Sequence, residues 1–342
     1  MEKLLKKLVE APSISGFEDN IRDLMKKELK GHVSSIKVDK VGNLIAQKGK
    51  GSPRIMISAH MDELGLMVKF IDKDGSIKFE TVGGWDERIL PARKVVVYGS
   101  KGPVTGVIGT KPVHLQEKDD KKRPIDKKEL SIDVGTDSDK ETERLGIQVG
   151  DFITNHGELS RMAGSKVTGH GLDDRVGCLE LIEVMKSVKK FKGTLYAVGT
   201  VQEEMGLIGV RGSMYGINPD VMLSLDTTYA KSSEMKPGEV NAELGKGPVV
   251  EIKDAMSFMN PRIKNWVLKT AKAKGIKLQY DVSSGGAQDS SVGAITREGI
   301  ASGAVSTPTR YLHTPVEVAD MSDVKNVVVL VSEMIKNAGK YF

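Results

Sequence analysis

The sequence predicts an α/β protein, a mixed sheet with helices on both faces, interrupted by a small all-β, barrel-like insertion. In residues 1–63 and again in 164–342, apolar strand patterns alternate with helical ones. Between them, residues 64–163 show short alternating runs broken by glycine, which are typical of a small barrel or sandwich. We therefore expect a discontinuous domain, 1–63 plus 164–342, with residues 64–163 inserted.

The individual elements follow in chain order. Ser15-Gly-Phe-Glu18 resembles a capping box, and the apolar residues that follow at helical spacing predict a helix there. In the insertion, strands are expected at Lys94–Gly99 and Gly102–Gly109. After Gly164, we expect strands at Gly193–Gln202 and Val221–Asp226 and a final helix at Val324–Lys336.

A histidine and an aspartate end the first strongly apolar strand. Residues i and i+2 of a strand point the same way, so His60 and Asp62 face one side. One can bind a metal while the other orients it, as the partners of metal-bound histidines commonly do. The pair alone is equally compatible with a histidine that ends a strand beside a solvated aspartate.

Two acidic pairs stand at later element boundaries. Asp173 and Asp174 lie where a glycine-rich turn gives way to a helical pattern, so one could cap the helix while the other binds a metal. Glu203 and Glu204 follow an apolar strand directly. Their side chains diverge on an extended backbone, which would let them serve two purposes on either side of a metal-bound water.

Two more segments complete the pattern. Asp226 ends a buried strand, and His313 lies in Arg310-Tyr-Leu-His-Thr-Pro. In open α/β sheets ligands bind at the carboxyl ends of strands, so all of these side chains could meet in one crevice. A set of histidines and carboxylates without thiolate suits zinc, or two metals that share a carboxylate.

These motifs resemble the tetrahedral (TET) dinuclear metallo-aminopeptidases, a family that includes glutamyl and deblocking aminopeptidases and members called endoglucanases. The resemblance covers essentially the whole chain. It is carried by Ser-Ala-His60-Met-Asp62-Glu-Leu-Gly, Val-Gly-Gly84-Trp85, Lys111-Pro-Val-His114-Leu, Leu172-Asp173-Asp174-Arg175-Val-Gly-Cys178, Gln202-Glu203-Glu204-Met-Gly-Leu and Arg310-Tyr-Leu-His313-Thr-Pro-Val-Glu.

The resemblance implies a role for each candidate. Asp173 would bridge two divalent metal ions, Zn²⁺ or Co²⁺, in each subunit. His60 and Asp226 would complete one ion's protein ligands, and Glu204 and His313 the other's. Glu203 matches the general base, and Asp62 matches the carboxylate that orients His60.

Two positions depart from the family pattern. The family commonly has Asn where this chain has Asp174, so the assignment of the bridge to Asp173 rests on alignment. The segment Gly285-Gly-Ala-Gln-Asp289-Ser stands where Gly-Thr-Asp is more usual, which leaves the role of Asp289 open. The preferred N-terminal residue and the native metal are not indicated by the sequence.

The expected activity is removal of N-terminal residues from peptides by a metal-activated water. A metal pair roughly 3.5–4 Å apart can polarise the peptide carbonyl and acidify a shared water. The alternatives are a glycoside hydrolase that uses paired carboxylates and a non-catalytic metal-binding scaffold. The first leaves His60 and His313 without a purpose, and the second does not require a spare carboxylate such as Glu203.

Composition bounds the partners and the location. Lys+Arg 51 against Asp+Glu 46 gives a net charge of +5, spread too thinly to indicate nucleic acid. The run Lys118–Lys128 mixes signs and is expected to form a solvated loop. No stretch approaches a membrane span, and the single cysteine, Cys178, fits a reducing cytoplasm and a packed thiol. The resemblance implies a homo-oligomer, a tetrahedral dodecamer built from dimers through the insertion.

Overall fold

The computed structural model describes residues 1–117 and 123–342. The run Lys118–Lys128, expected to form a solvated loop, lies partly outside these residues. The helices are α1 Glu2–Val9, α2 Asp19–Leu29, α3 Asp139–Arg144, α4 Leu172–Ser187, α5 Ile208–Ile217, α6 Pro261–Lys274 and α7 Met321–Asn337. The strands are β1 Ser35–Val38, β2 Leu44–Lys50, β3 Arg54–His60, β4 Gly65–Ile71, β5 Ile77–Val82, β6 Arg93–Gly99, β7 Gly102–Ile108, β8 Ile132–Asp133, β9 Phe152–Asn155, β10 Ser160–Arg161, β11 Lys166–Gly169, β12 Gly193–Thr200, β13 Val221–Tyr229, β14 Val249–Lys253, β15 Gln279–Val282, β16 Ala301–Arg310 and β17 Glu317–Asp320.

Six strands close into an antiparallel barrel in the order β4-β5-β8-β7-β6-β9. Alternate side chains such as Val95 and Val97 point inward and form its own apolar core. This confirms the expected all-β subdomain. Strand β10 falls within 64–163 but pairs with β11 in the large sheet, and the boundaries at 63/64 and 163/164 remain a prediction.

The large sheet is mixed, as expected, and follows the order β1-β2-β12-β3-β13-β16-β17-β11-β10, with β14 and β15 attached beside β16. Its centre, β12, β3, β13 and β16, is parallel. Parallel central strands are covered on both faces and therefore read as nearly continuous apolar runs, as Arg54–His60 does.

Helices cover both faces of this sheet. Ile55 and Ile57 of β3 pack in one core cluster with residues of α1, α2, α4, α6 and α7. Met56, which points to the opposite face, packs with α5 and with the short 3-10 helix Asp289–Ile295. Among the described residues, no helix combines the length and the apolarity needed to cross a membrane.

The capping box expected at Ser15–Glu18 is wrong, although the helix behind it is present. Helix α2 begins at Asp19, and the Ser15 hydroxyl donates to Asp62 Oδ2 at 2.6 Å. Glu18 accepts from Gly16 N and from Gln202 N. Both side chains are drawn away from the helix by partners that are distant in sequence, which local spacing cannot reveal.

The parallel centre determines where the functional side chains meet. Because β3, β12, β13 and β16 run the same way, their carboxyl ends form one edge of the sheet. His60 ends β3 opposite Thr200 of β12, and Asp226 of β13 lies opposite Ser306 of β16. The chain enters the barrel directly after this edge, through Met61–Leu64.

Candidate metal centre

The candidate ligands converge at the carboxyl edge of the sheet. Two groups have ligand atoms that all lie within 4.8 Å of one another, and both include His60. One group adds Asp173 and Glu204, and the other adds Asp174 and Asp226. Four of the five segments singled out in the sequence therefore meet in one place, and the fifth, which carries His313, lies beside them.

His60 lies at the middle of the cluster and is buried. Its Nε2 lies 3.1 Å from Asp173 Oδ1 and 3.9 Å from Asp226 Oδ1. Its Nδ1 lies 3.0 Å from the backbone carbonyl oxygen of Asp62. This carbonyl can fix the ring and leave Nε2 facing the carboxylates.

The Asp62 carboxylate has partners other than the imidazole. Its Oδ1 lies 3.6 Å from His60 Nδ1, farther than the Asp62 carbonyl oxygen. The carboxylate instead accepts from Ser15 Oγ and from the backbone N–H groups of Glu203 and Glu204 at 3.1 and 3.2 Å. Asp62 thus ties the end of β3 to the acidic loop after β12.

The two neighbouring aspartates have different surroundings. Asp173 directs Oδ1 toward His60 Nε2 and Oδ2 toward His313 Nε2, at 3.1 and 3.5 Å. The oxygens of Asp174 accept from His60 N and Gly177 N at 3.2 and 2.9 Å. Only Asp173 therefore faces both histidines.

The loop after β12 presents its two glutamates to a cavity of about 330 Å³ that both side chains line. Glu204 Oε1 lies 3.6 Å from His313 Nε2. Within the described ranges, the Glu203 carboxyl does not come within 4.0 Å of a nitrogen of His60 or His313, while its backbone N–H donates to Asp62. Glu204 therefore lies within the histidine cluster, and Glu203 lies beside it.

His313 is oriented from the barrel side. Its Nδ1 lies 3.0 Å from the carbonyl oxygen of Gly84, in the segment that follows β5. Its backbone has φ +61°, a left-handed conformation that is uncommon for residues other than glycine. The Gly84 carbonyl fixes Nδ1 as a donor, so Nε2 is the nitrogen available to the cluster.

A further carboxylate, Glu317, holds the cluster together and was not assigned a role from the sequence. It is buried at the start of β17 and accepts from Asp173 N at 3.1 Å and from His313 N at 3.0 Å. The only available signal was its position four residues after His313 in the last motif. Sequence alone does not show that it also contacts Asp173, 144 residues away.

Asp289 and Cys178 are buried outside the cavity. Asp289 is buried and accepts from Thr200 Oγ1 at 2.8 Å, and it does not line the cavity. Cys178 is buried in α4, with Sγ 3.1 Å from the His60 carbonyl oxygen. Burial raises the pKa of this thiol, which fits the packed thiol expected from the sequence.

The electrostatics of the cluster call for a cation. Burial raises the pKa of Asp174, Asp226 and Glu203 well above their ordinary values, and neighbouring carboxylates raise them further. Burial and Asp173 raise the pKa of Glu204 to about 7. Burial alone would lower the pKa of His60, but Asp173 and Asp62 raise it. Carboxylates and imidazoles are the donor types that divalent transition metals bind, so the residues fit a metal.

The chain matches one protein family over most of its length. Residues 42–330 match the model described as M42 glutamyl aminopeptidase. A lysyl aminopeptidase from Pyrococcus furiosus is 36% identical over 337 residues, which cover 98% of this chain and 96% of that protein.

Solved structures agree with the sequence match. The TET1 peptidase of Pyrococcus horikoshii, described as able to assemble into a tetrahedron or a large octahedral shell, superposes with a TM-score of 0.89 at 35% identity, covering 98% of each chain. A Thermotoga maritima protein called an endoglucanase superposes with a TM-score of 0.81 at 30% identity, covering 98% of this chain and 97% of that one. The chain therefore belongs to the M42 glutamyl aminopeptidase family and is a metal-dependent aminopeptidase.

Proposed function

We propose that this aminopeptidase holds two divalent ions in each subunit, with Asp173 as the shared ligand. His60 and Asp226 would complete one set of ligands, and Glu204 and His313 the other. The observation that carries the proposal is that the two oxygens of Asp173 each face a different histidine. Asp174 is the weaker candidate for the bridge, because both of its oxygens already accept backbone N–H groups.

Zinc or cobalt at this centre would polarise the scissile carbonyl and acidify a water. Glu203 accepts the proton of the attacking water as a general base and then donates it to the leaving nitrogen as a general acid. Two features support this role: Glu203 lines the cavity beside the proposed ligands, and its backbone is fixed by Asp62. Asp62 also fixes His60, through its carbonyl oxygen.

Peptides are favoured over polysaccharides as substrates. A glycosidase needs its acid and base roughly 5–9.5 Å apart and has no use for paired histidines. Neither tryptophan lines the cavity that holds Glu203, although Trp85 borders a smaller cavity beside Asp173, Glu204 and His313. Trp266 is buried in the main core, and Trp85 donates to Gly65 O beside the barrel core. A pure scaffold would leave Glu203, a carboxylate beside the proposed ligands, without a purpose.

We also propose that the chain forms a homo-oligomer through residues 64–163, a tetrahedral dodecamer of dimers, and acts in the cytoplasm. The assembly named for the TET1 relative supports the first part. The barrel contributes the Gly84 carbonyl to the site but none of the proposed ligands. It also exposes large apolar side chains, including Phe70 and Leu115, which suit a subunit contact.

The Glu203→Gln variant tests the general base. The change keeps the size of the side chain and the proposed ligands but removes the proton acceptor, so kcat should fall at least about a hundredfold. The assay is release of amino acids from peptides by protein loaded with zinc or cobalt, alongside release of reducing sugar from cellulose. Metal content should remain near that of the unmodified protein.

Glu204→Gln is the matched control, because it makes the same chemical change one residue away. It should lose metal together with activity, since Glu204 is proposed as a ligand. Activity of Glu203→Gln within a few-fold of the unmodified enzyme would remove Glu203 from its role. Sugar release without peptide cleavage would overturn the proposed activity.

A further inference from the structure

The cavity at the metal centre extends past the proposed ligands to β14 and β15. Besides His60, Glu203 and Glu204, it is lined by Glu251 of β14 and Asp281 of β15. Strand β14 pairs with β16, which in turn pairs with the Asp226 strand β13. At roughly 4.8 Å per strand, β14 lies about 10 Å from β13. The extension is therefore within reach of the side chain of a residue bound at the centre.

Two carboxylates face each other in this extension. Glu251 and Asp281 are register partners on adjacent parallel strands, so their side chains lie on the same side of the sheet. Like charges placed directly opposite each other are unfavourable. Within the described ranges, neither forms an ion pair with a lysine or arginine. The neighbouring Lys253 directs its Nζ to the carbonyl oxygens of Asp254 and Ser283.

The pKa values of both carboxylates are raised, as expected for buried acids without a cation paired to them. Burial, with a smaller contribution from Asp281, raises the pKa of Glu251 to about 7. Burial also raises the pKa of Asp281. A cation between the two would stabilise both charged forms.

Two unpartnered oxygens in the same wall point to a hydrogen-bond donor. Gln288 is only 7% exposed; its Nε2 donates to Glu251 Oε1, Ser306 Oγ and Thr227 O, while its Oε1 has no partner. Thr227, 5% exposed, likewise has an unpartnered Oγ1. Both residues line the cavity. A buried acceptor without a partner is costly, and a ligand with N–H donors would relieve that cost.

The same wall suits an aliphatic stem. Met256, Tyr229 and Ala287 line the cavity and offer apolar surface. Among the described lining residues, Arg211 is the only lysine or arginine. It lies on α5, which follows the Glu203–Glu204 loop, and its guanidinium is within 3.5 Å of Gly206 O.

We propose that Glu251, Asp281 and Gln288 form a subsite for a basic side chain, so that the enzyme prefers peptides beginning with lysine or arginine. The inference rests on the proposed aminopeptidase function and adds its substrate class. The carboxylates neutralise the ammonium or guanidinium group, and the Gln288 and Thr227 oxygens accept its N–H bonds. The methylene stem packs on Met256 and Tyr229.

The test compares p-nitroanilides of lysine, arginine, norleucine and glutamate with the metal-loaded enzyme. Norleucine has the unbranched stem of lysine without its charge. Lysine and arginine should exceed norleucine in kcat/KM by at least about tenfold, because the charged groups meet charged partners. Asp281→Asn and Glu251→Gln should reduce the lysine value at least about tenfold and the norleucine value by less than about threefold.

Glu298→Gln removes an exposed carboxylate outside the cavity and should leave every ratio unchanged. Thermal unfolding of each variant shows whether it folds, and inhibition by free lysine compared with free norleucine gives a second readout. Norleucine or glutamate cleaved as well as lysine, or equal losses on both substrates in the two variants, would overturn the subsite. No cleavage of any anilide would instead overturn the proposed function, and the subsite with it.

Discussion

Asp173 and Asp174 are neighbours of the same type with opposite surroundings. Asp173 faces two histidines, whereas Asp174 accepts from backbone N–H groups of His60 and Gly177 at the start of α4. The sequence offered both as candidates. Their difference depends on where β3 and the loop after β16 lie, and no local pattern contains that information.

Asp173→Ala should lose metal and activity together, because a carboxylate shared as proposed would contribute to both ion sites. Asp174→Ala should retain at least part of both. It should also lower the free energy of unfolding by about 1 kcal/mol, the usual effect of removing a cap at a helix start. Elemental analysis and thermal unfolding of the two purified variants decide between them. The opposite order of metal loss would assign the bridge to Asp174.

Residue chemistry predicted which side chains would come together better than it predicted their contacts. His60, Glu204, Asp226 and His313 were identified because ligand types stand at or near the ends of predicted elements, and the structure brings them together. The strand expected to end at Asp226 continues to Tyr229, so Asp226 lies within β13. Asp62 was expected to orient His60 with its carboxylate. Its carbonyl oxygen is the closer partner, because the chain turns immediately after β3.

At the level of elements, strands with clear apolar patterns were predictable. The strands expected at Lys94–Gly99 and Gly102–Gly109 form β6 and β7, and Gly193–Gln202 contains β12. The order of strands in the large sheet was not predictable. Strand β12 pairs with both β2 and β3, although the whole barrel lies between β3 and β12 in the sequence. The partners of β12 are therefore determined by long-range packing.

Glu317, at the start of β17, connects the segments that carry Asp173 and His313. Glu317 accepts from the backbones of Asp173 and His313, so Glu317→Gln should replace one acceptor oxygen with an N–H donor that opposes a backbone N–H. Metal affinity should fall about 10- to 100-fold, the range found for groups that support ligands. Titration with zinc in competition with a chelator measures this effect.

The matched control for this prediction is Glu333→Gln, which removes a carboxylate on α7 that pairs with Lys274 and Lys336 outside the cavity at the proposed metal centre. Its metal affinity should equal that of the unmodified protein. If Glu317→Gln binds zinc as tightly as this control, then Glu317 does not position the ligands.

For the whole molecule, the buried charges predict how the metal-free protein responds to pH. A group whose pKa is raised by folding binds more protons in the folded state, so its contribution to stability falls as pH rises. The pKa of Glu204 rises from 4.5 to about 7, and that of His313 from 6.5 to about 10. Burial is the main cause for Glu204, whereas burial lowers the pKa of His313 and is outweighed by Asp173 and Glu204 together. Glu204 therefore makes the folded protein less stable as pH rises from 4.5 to about 7, and His313 does so as pH rises from 6.5 to about 10.

The melting temperature of chelator-treated protein should therefore fall between about pH 5.5 and 7.5. Saturating zinc should raise it at both values and reduce the pH dependence, because bound cations replace the protons. Differential scanning calorimetry at the two pH values, with and without zinc, measures both effects. A metal-free melting temperature that rises with pH would contradict the electrostatic account of the cluster.

Assembly is tested at the same scale. Native mass measurement of metal-loaded protein should show a multiple of the 37.1 kDa chain, with twelve copies expected for a tetrahedral particle. Leu115→Ser, a change at an exposed barrel side chain, should shift the population toward smaller species if it lies in a contact. A protein that is monomeric at micromolar concentration and fully active on short peptides would rule out assembly as a requirement for catalysis.

The hydrogen bond between His313 and Gly84 joins residues 229 positions apart. A hydrogen bond of this kind is lost once its atoms separate beyond about 3.5 Å, so a shift of the barrel by well under 1 Å would release the imidazole. The barrel thus controls the orientation of one proposed ligand, His313, although it supplies no ligand itself. A substitution that displaces the Gly84 segment should therefore weaken metal binding through His313.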